Sequence, residues 1–205
     1  MELAPNGSFA TLIRKSSLLR DEKVVRTYFH QLIEGLEYLH KTKVAHLDIK
    51  PENLLIGKNF ELKIADFDSA YLENDSEKIR TRGTPIYRAP EIKNSSCENP
   101  YAADIHAAGV TLFLLLTSYY PYTESENIHG IDFEGYLRVE NPQFWIAHSK
   151  LHNITVSQDF KDLFFSMVKE DAVERATIQE IKASAWYNGP IYTISALKHK
   201  WTNQY

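Results

Sequence analysis

The chain has 205 residues, 43% of them apolar, which is enough to bury the core of one domain. The 23 lysines and arginines stand against 27 aspartates and glutamates, and this net charge of -4 is spread along the chain, so nothing indicates a nucleic-acid partner. The single cysteine, Cys97, cannot form an internal disulfide, and no charged-then-apolar leader opens the chain, so we expect a cytoplasmic protein.

The first predicted element is an amphipathic helix early in the chain. Asp21 and Glu22 are acidic residues that suit its first turn. Apolar residues follow at alternating steps of four and three, which places them on one helical face: Val25, Phe29, Leu32, Leu36 and Leu39.

A short β-hairpin is predicted next. Two apolar segments, 54–56 and 62–64, flank the turn formers Gly57-Lys58-Asn59. Because a hairpin returns the chain to its starting edge, Asn53 before the first strand and Asp66 after the second should lie near each other.

A polar segment and an apolar segment follow the hairpin. Residues 66–100 are rich in turn formers, which predicts an irregular functional loop, and residues 101–117 predict a central helix. The longest apolar run, 107–116, is shorter than the ~20 residues that cross a bilayer, so we expect a buried core helix and no membrane partner.

Two more helices are predicted in the last third of the chain. One follows from apolar residues at helical spacing, and the other from the capping-box pattern of Thr177 and Glu180. Gly189-Pro190 should close the last helix, which leaves residues 191–205 as a tail. The apolar residues of the first of these helices are Phe160, Leu163, Phe164 and Met167.

Three oxygen-bearing side chains are expected at one edge of the hairpin. Asp48 and Asn53 lie shortly before its first strand, and Asp66 directly follows its second strand. Such oxygen ligands suit Mg²⁺, and a carboxylate can orient a hydroxyl. Taken singly, each residue is better explained as a turn former or helix cap, so the functional argument depends on order and spacing.

The order and spacing of three motifs resemble those of the eukaryotic-type serine/threonine protein kinase family. That family carries H-R-D-L-x-x-x-N, then D-F-G, then A-P-E. This chain has His46-Leu47-Asp48 with Asn53 at the same spacing, then Asp66-Phe67-Asp68, then Ala89-Pro90-Glu91. The resemblance implies a mainly α fold over residues 1–190: a kinase large lobe, built as a helical bundle with a small β-hairpin that carries the catalytic loop.

The resemblance also implies chemical roles for five residues. Asp48 would orient the substrate hydroxyl and accept its proton, and Lys50 would neutralise the transferring phosphoryl group. The Thr84 hydroxyl would lie beside Asp48 and Lys50 and help shape the catalytic pocket for the substrate. Asn53 and Asp66 would hold Mg²⁺. Lys50 and Thr84 are typical of the serine/threonine branch, so the implied reaction is transfer of the ATP γ-phosphate to serine or threonine hydroxyls of a protein substrate.

Other matched positions are structural. Glu91 and Arg175 match a pair that forms a buried salt bridge in the family, and such a pair fixes local geometry. Asp104 matches the residue that anchors the catalytic loop to the central helix. His46 and Phe67 match packing positions beneath the nucleotide.

The opening segment, residues 1–7, resembles the hinge between the two kinase lobes, whose backbone contacts adenine. Glu2 and Ala4 are therefore expected at the ATP site, with Leu55 beneath the nucleotide. No G-x-G-x-x-G loop or phosphate-binding lysine precedes this segment in the sequence. We therefore expect a large lobe that needs a small lobe or a regulatory partner, and that is inactive when isolated.

Three residues depart from the family pattern. Leu47 replaces an arginine that can pair with a phosphate on the activation loop, so we expect loop phosphorylation to couple weakly to activity. Asp68 replaces a glycine at a position where positive φ is easily tolerated, and aspartate accepts that conformation better than most residues. His106 replaces a tryptophan and is expected to have a packing role.

Two alternatives to a kinase remain open from the sequence. A pseudokinase or scaffold is favoured by the missing small lobe, by Leu47 and by Asp68. The four intact residues Asp48, Lys50, Asn53 and Asp66 favour an enzyme. A purely helical interaction module would leave the ordered motifs as coincidence.

Overall fold

The computed structural model describes residues 3–15, 17–73, 82–94, 97–122, 132–138 and 140–202. Within these ranges it contains nine α-helices and two short antiparallel β-ribbons. The helices are α1 Phe9–Lys15, α2 Glu22–Lys41, α3 Pro90–Lys93, α4 Pro100–Thr117, α5 Phe133–Arg138, α6 Gln143–His152, α7 Gln158–Met167, α8 Ile178–Ala183 and α9 Ile194–Thr202. The strands are β1 Val44–Ala45, β2 Leu54–Ile56, β3 Leu62–Ile64 and β4 Tyr71–Leu72.

Helix α2 is the predicted amphipathic helix. Asp21 precedes it as the N-cap, and its carboxylate accepts a hydrogen bond from the Lys23 backbone N–H at 3.1 Å. Phe29, Leu32 and Leu36 are buried in the main core, as their spacing predicts. The helix ends at Lys41, and β1 begins shortly after it at Val44.

The predicted hairpin is formed by β2 and β3, with Leu54 opposite Ile64. Its turn is closed by the Gly57 N–H, which donates to the Glu61 carbonyl at 2.8 Å. At the open end the Ala65 N–H donates to the Asn53 carbonyl at 2.9 Å, so Asn53 and the residue after Ala65 stand at one edge. A second ribbon, β1 with β4, was not predicted because two-residue strands show no sequence periodicity.

Helix α4 is the central helix. Asn99 caps it by accepting from the Ala102 N–H at 3.2 Å, and Ser118 ends it in the left-handed conformation. By length and composition this helix could cross a membrane, but 89% of the helix is buried inside the fold. Its apolar residues serve the core, where they contact α2 and α7.

The segment expected to be an irregular loop, 66–100, contains regular pieces. It includes β4, a 3-10 turn at Pro85–Tyr87 and helix α3. Each piece is four residues or fewer, too short for a hydrophobic period to be recognised. The sequence reasoning also missed α1, α5 and α6.

The sequence left the structure of the C-terminal tail open, and residues Ile194–Thr202 of this tail are helical. Helix α9 buries Leu197 and Trp201. The Trp201 Nε1–H donates to the Tyr28 hydroxyl at 2.6 Å, and the Trp201 ring stacks on Phe60 in the hairpin turn.

Gly189-Pro190 does not close the helix predicted at Thr177, because α8 already ends at Ala183. After Pro190 the chain packs on α2, where the Tyr192 N–H donates to the Thr27 hydroxyl.

His148 on α6 makes the core sensitive to acid. Its side chain is buried against Phe113 and Phe144, and its Nε2 lies 3.0 Å from the Pro121 carbonyl. Burial lowers the pKa of His148 from its ordinary 6.5 to about 4. Between these values the unfolded chain binds a proton that the folded chain does not, so stability present above pH 6.5 is lost as the pH falls toward 4.

We therefore expect the free energy of unfolding to fall by up to about 3 kcal/mol across this interval because of His148. Urea titrations at pH 7, 5.5 and 4.5 would measure the loss. His148→Gln, which retains a donor for the Pro121 carbonyl, should flatten the pH dependence relative to the unsubstituted chain. If the free energy of unfolding depended on pH equally in the two proteins, the loss could not be assigned to His148.

Candidate active site

The backbone of the loop at residues 46–53 is held by Asp104, a fully buried residue of α4. Its Oδ2 accepts from the His46 N–H at 2.8 Å, and its Oδ1 accepts from the Leu47 N–H at 2.7 Å. His40 at the end of α2 places its Nε2 2.9 Å from Oδ2. Asp104 was expected to anchor the loop to α4, and through His40 its carboxylate also connects the loop to α2.

His46 connects the loop to the end of β3. The Asp48 N–H donates to His46 Nδ1 at 3.2 Å, so the ring proton lies on Nε2, which donates to the Ala65 carbonyl at 2.9 Å. The Phe67 ring packs edge-on against the imidazole with ring centroids 4.8 Å apart. These contacts fix the position of Asp48 relative to the turn that contains Asp66.

Asp48 lies at the centre of a hydrogen-bonded cluster. Lys50 Nζ donates to Asp48 Oδ2 at 2.7 Å and also to the Thr84 hydroxyl at 2.6 Å. The Thr84 N–H donates to Asp48 Oδ1 at 2.8 Å, and Asn53 Nδ2 donates to Oδ2 at 3.1 Å. The structure thus brings together all four residues predicted to be catalytic.

The Asp48 carboxylate is ionised at neutral pH. Burial alone would raise its pKa, but the hydrogen bonds from Lys50 and Thr84 outweigh burial and hold the pKa below its ordinary value. A carboxylate of low pKa is a weak base. The cluster is therefore suited to orienting a hydroxyl and to accepting its proton late in a reaction.

Gly83 allows the segment at Thr84 to reach Asp48. Its φ is +80°, and a Cβ added there would lie 2.1 Å from the Leu47 carbonyl oxygen. Only glycine permits both this conformation and this approach. The sequence showed Gly83 beside Thr84, but the close contact with Leu47 joins residues distant in sequence and could not be predicted.

Asn53 and Asp66 are the candidate metal ligands at the open end of the hairpin. Asn53 uses its Nδ2 for the Asp48 carbonyl and carboxylate, so its Oδ1 is the atom suited to a cation. Asp66 is exposed and left-handed, with φ +65°. The described part of the chain holds no cluster of three or more histidines, cysteines or carboxylates, so a cation here would need oxygens from a phosphate ligand as well.

Asp68 carries no left-handed strain. Among residues 66–68 the positive φ belongs to Asp66, and Asp68 is an exposed residue outside the left-handed region. Replacement of the family glycine by aspartate therefore fits this backbone without distortion.

The N-terminal segment lies along β2. The Ile56 N–H donates to the Gly7 carbonyl at 2.9 Å, and Ser8 forms a bridge with Leu55. Ala4 precedes this contact and accepts from the Gly7 N–H at 3.4 Å, whereas Glu2 lies outside the described residues. Leu55, expected at the nucleotide site, is only partly buried.

Two further clusters, an ion pair and an apolar cluster, hold the elements next to the site. Arg175 forms a two-point ion pair with Glu91, at 2.6 and 2.9 Å, and its side chain is fully buried. The Leu47 side chain is buried in a small apolar cluster. The other buried members of that cluster are Ala45, Ala89, Ile92 and Ala103.

Comparison with known proteins identifies the family. The family described as "Protein kinase domain" matches residues 1–187, so the chain belongs to the protein kinase family. CBL-interacting protein kinase 26 of Oryza sativa subsp. japonica is 35% identical over 204 residues, which is 98% of this chain and 38% of that protein. The probable serine/threonine-protein kinase MARK-B of Dictyostelium discoideum is 34% identical over 191 residues, 92% of this chain and 25% of that protein.

A third relative is the SNF1-like protein kinase ssp2 of Schizosaccharomyces pombe. It is 31% identical over 189 residues, which cover 92% of this chain and 31% of that protein. The chain therefore spans between a quarter and two fifths of the length of these three relatives.

Proposed function

We propose that this chain is the large lobe of a serine/threonine protein kinase that transfers the ATP γ-phosphate to hydroxyls of protein substrates. The observation that carries the proposal is the cluster in which Lys50 contacts both Asp48 and Thr84. A carboxylate, an ammonium group and a hydroxyl at these distances suit an incoming alcohol and a transferring phosphoryl group. The name of MARK-B, a probable serine/threonine-protein kinase, supports the same reaction class.

In this proposal each residue of the cluster has a separate task. Asp48 accepts a hydrogen bond from the substrate hydroxyl, which replaces the contact from Asn53 Nδ2. Lys50 lies within reach of the developing negative charge, while Thr84 keeps the ammonium group beside Asp48. The hydrogen bond between the Thr84 N–H and Asp48 fixes the substrate-binding segment relative to the base.

Asn53 and Asp66 are proposed to bind Mg²⁺ together with ATP. Their oxygen donors and their position at one end of the hairpin fit a hard cation that also takes phosphate oxygens. When bound, Mg²⁺ neutralises phosphate charge and fixes the phosphate geometry. Ala4, Leu55 and Glu2 are proposed to contact the nucleotide base, which would lie over β2.

A noncatalytic scaffold is the second candidate. Leu3 and Phe67 are 79% and 45% exposed on the described surface, and large apolar side chains at this exposure suit a covering partner. Under the kinase proposal that partner is a small lobe or a regulatory protein, without which the chain is inactive. Under the scaffold proposal the same face binds a protein and no phosphoryl transfer follows.

The decisive experiment compares three variants of the chain supplied with a kinase small lobe. Asp48→Asn and Asp66→Asn should each lower the rate of peptide phosphorylation by about 10²–10⁴-fold. Affinity for Mg-ATP, measured by calorimetry, should fall about tenfold, or ~1.4 kcal/mol, only for Asp66→Asn. Asp68→Asn is the matched control, because it removes an exposed carboxylate two residues away.

Three outcomes test the kinase proposal, the proposed metal site and the scaffold proposal. Loss of activity in both variants, with weaker Mg-ATP binding in Asp66→Asn alone, supports the proposed roles. Equal affinities for Asp48→Asn and Asp66→Asn would show that the metal site is misassigned. No labelling by the unsubstituted protein, with the small lobe present, would favour the scaffold.

A further inference from the structure

A groove lies behind the loop that carries Asp48, between the end of α2, the start of α4 and the turn that leads into α8. Its volume is about 570 Å³. Sites for small molecules typically enclose about 300–1,000 Å³. Its apolar floor comes from buried residues of α4 and of the segment that enters α8: Ala102, Ile105, Ala176 and Ile178.

The rim of the groove is cationic. Lys41 and Lys43 line it, with side chains 69% and 60% exposed, whereas Glu37 is the one carboxylate among the described lining residues. Glu37 already accepts from Lys182 at 2.7 Å. The groove is therefore locally positive on a protein whose net charge is -4.

The rim lysines can exchange their present partners for a ligand. Lys41 contacts Glu37 at 3.3 Å and Lys43 contacts Glu73 at 3.4 Å, and both ammonium groups belong to exposed side chains. Solvent screens such pairs, so each contributes little to stability. An anionic group that reached both ammonium groups would lose little by replacing these contacts.

We propose that this groove binds a small amphipathic organic anion. Its apolar body would lie on Ile105 and Ile178, and its carboxylate, sulfonate or phosphate group would lie between Lys41 and Lys43. The volume suits a small molecule, the apolar floor suits its body, and the positive rim suits its charge.

Two hydrogen bonds connect the groove wall to the loop at residues 46–53. His40 forms part of the groove wall, and its Nε2 lies 2.9 Å from Asp104 Oδ2. The same oxygen accepts the His46 N–H at 2.8 Å. A ligand that shifts the His40 ring therefore perturbs Asp104 Oδ2, the atom that accepts the hydrogen bond from the loop backbone. Only an effect of this shift on catalysis rests on the function proposed above.

The test uses 8-anilinonaphthalene-1-sulfonate, an amphipathic anion, titrated into the full chain without ATP and followed by amide NMR. Saturable shifts are expected at residues lining the groove and at the His46 and Leu47 amides. Ala172→Trp, which fills the groove from a half-buried loop position, should abolish these shifts.

A charge-reversal variant supplies an independent measurement. Lys41→Glu with Lys43→Glu should weaken binding at least about tenfold, or ~1.4 kcal/mol. Lys198→Glu on α9 is the matched control and should leave the affinity unchanged.

The dye can also adhere to the exposed apolar side chains Leu3 and Phe67. Shifts confined to that face, or an affinity that both groove variants leave unchanged, would overturn the proposed site. Groove binding that leaves the His46 and Leu47 amides unmoved would overturn the connection to the loop. Because no step requires phosphoryl transfer, a failure here is separate from a failure of the kinase proposal.

Discussion

Replacing Gly83 with alanine is expected to detach the segment at Thr84 from the catalytic loop. The new Cβ would lie 2.1 Å from the Leu47 carbonyl oxygen, and the residue would keep a φ of +80° that alanine adopts at a cost of about 1–2 kcal/mol. Since the clash is with backbone, no side-chain rotation relieves it. The chain must move, and the hydrogen bond from the Thr84 N–H to Asp48 is lost.

We expect Gly83→Ala to lower the free energy of unfolding by about 2–4 kcal/mol, measured by urea titration, and to shift the Thr84 amide resonance strongly. Gly7→Ala is the matched control, because Gly7 has a φ of +81° but its added Cβ would approach nothing nearer than 4.0 Å. Gly7→Ala therefore measures the loss of stability caused by backbone strain without the clash. Equal destabilisation of the two variants would show that the Leu47 contact has no role.

Replacing Leu47 with arginine, the residue the family pattern carries there, is expected to destabilise this protein. Leu47 is 8% exposed and packs in an apolar cluster, so an arginine would bury its charge without a counterion in that cluster. Arg82 and Arg88 line the same small cavity and would repel it, while Asp48, the carboxylate in that lining, already accepts from Lys50 and Thr84. A loss of about 3 kcal/mol or more in the free energy of unfolding is expected.

Leu47→Met is the control for that substitution, since it conserves volume and should cost less than about 1.5 kcal/mol. Both variants would be measured by urea titration after phosphatase treatment. If Leu47→Arg is as stable as Leu47→Met, then the apolar cluster does not define this position.

Elements with a long or regular pattern could be predicted from the sequence. The period of α2 and the turn formers between β2 and β3 are local signals, and both elements lie where the sequence placed them. The ribbon of β1 and β4 and helix α9 depend on partners far along the chain. Their local sequences are too short or too mixed to show a period.

The candidate site divides in the same way. Motif order identified Asp48, Lys50, Asn53 and Thr84, because their spacing is carried by one short loop and one nearby segment. The contribution of His40 was missed, since its contact with Asp104 crosses from α2 to α4. A single sequence contains no signal for such a pair, because either residue alone resembles an ordinary helical polar residue.

Helix α9 has a consequence for the order in which the site is completed during synthesis. Trp201 covers the hairpin turn at Phe60 and bonds to Tyr28, a residue 173 positions earlier. The chain is made from its N-terminus, so the hairpin with Asn53 and Asp66 at its open end emerges long before this cover exists. Contacts of such sequence separation form late and slowly. The candidate metal ligands would therefore stand on an incompletely packed hairpin until Trp201 has left the ribosome.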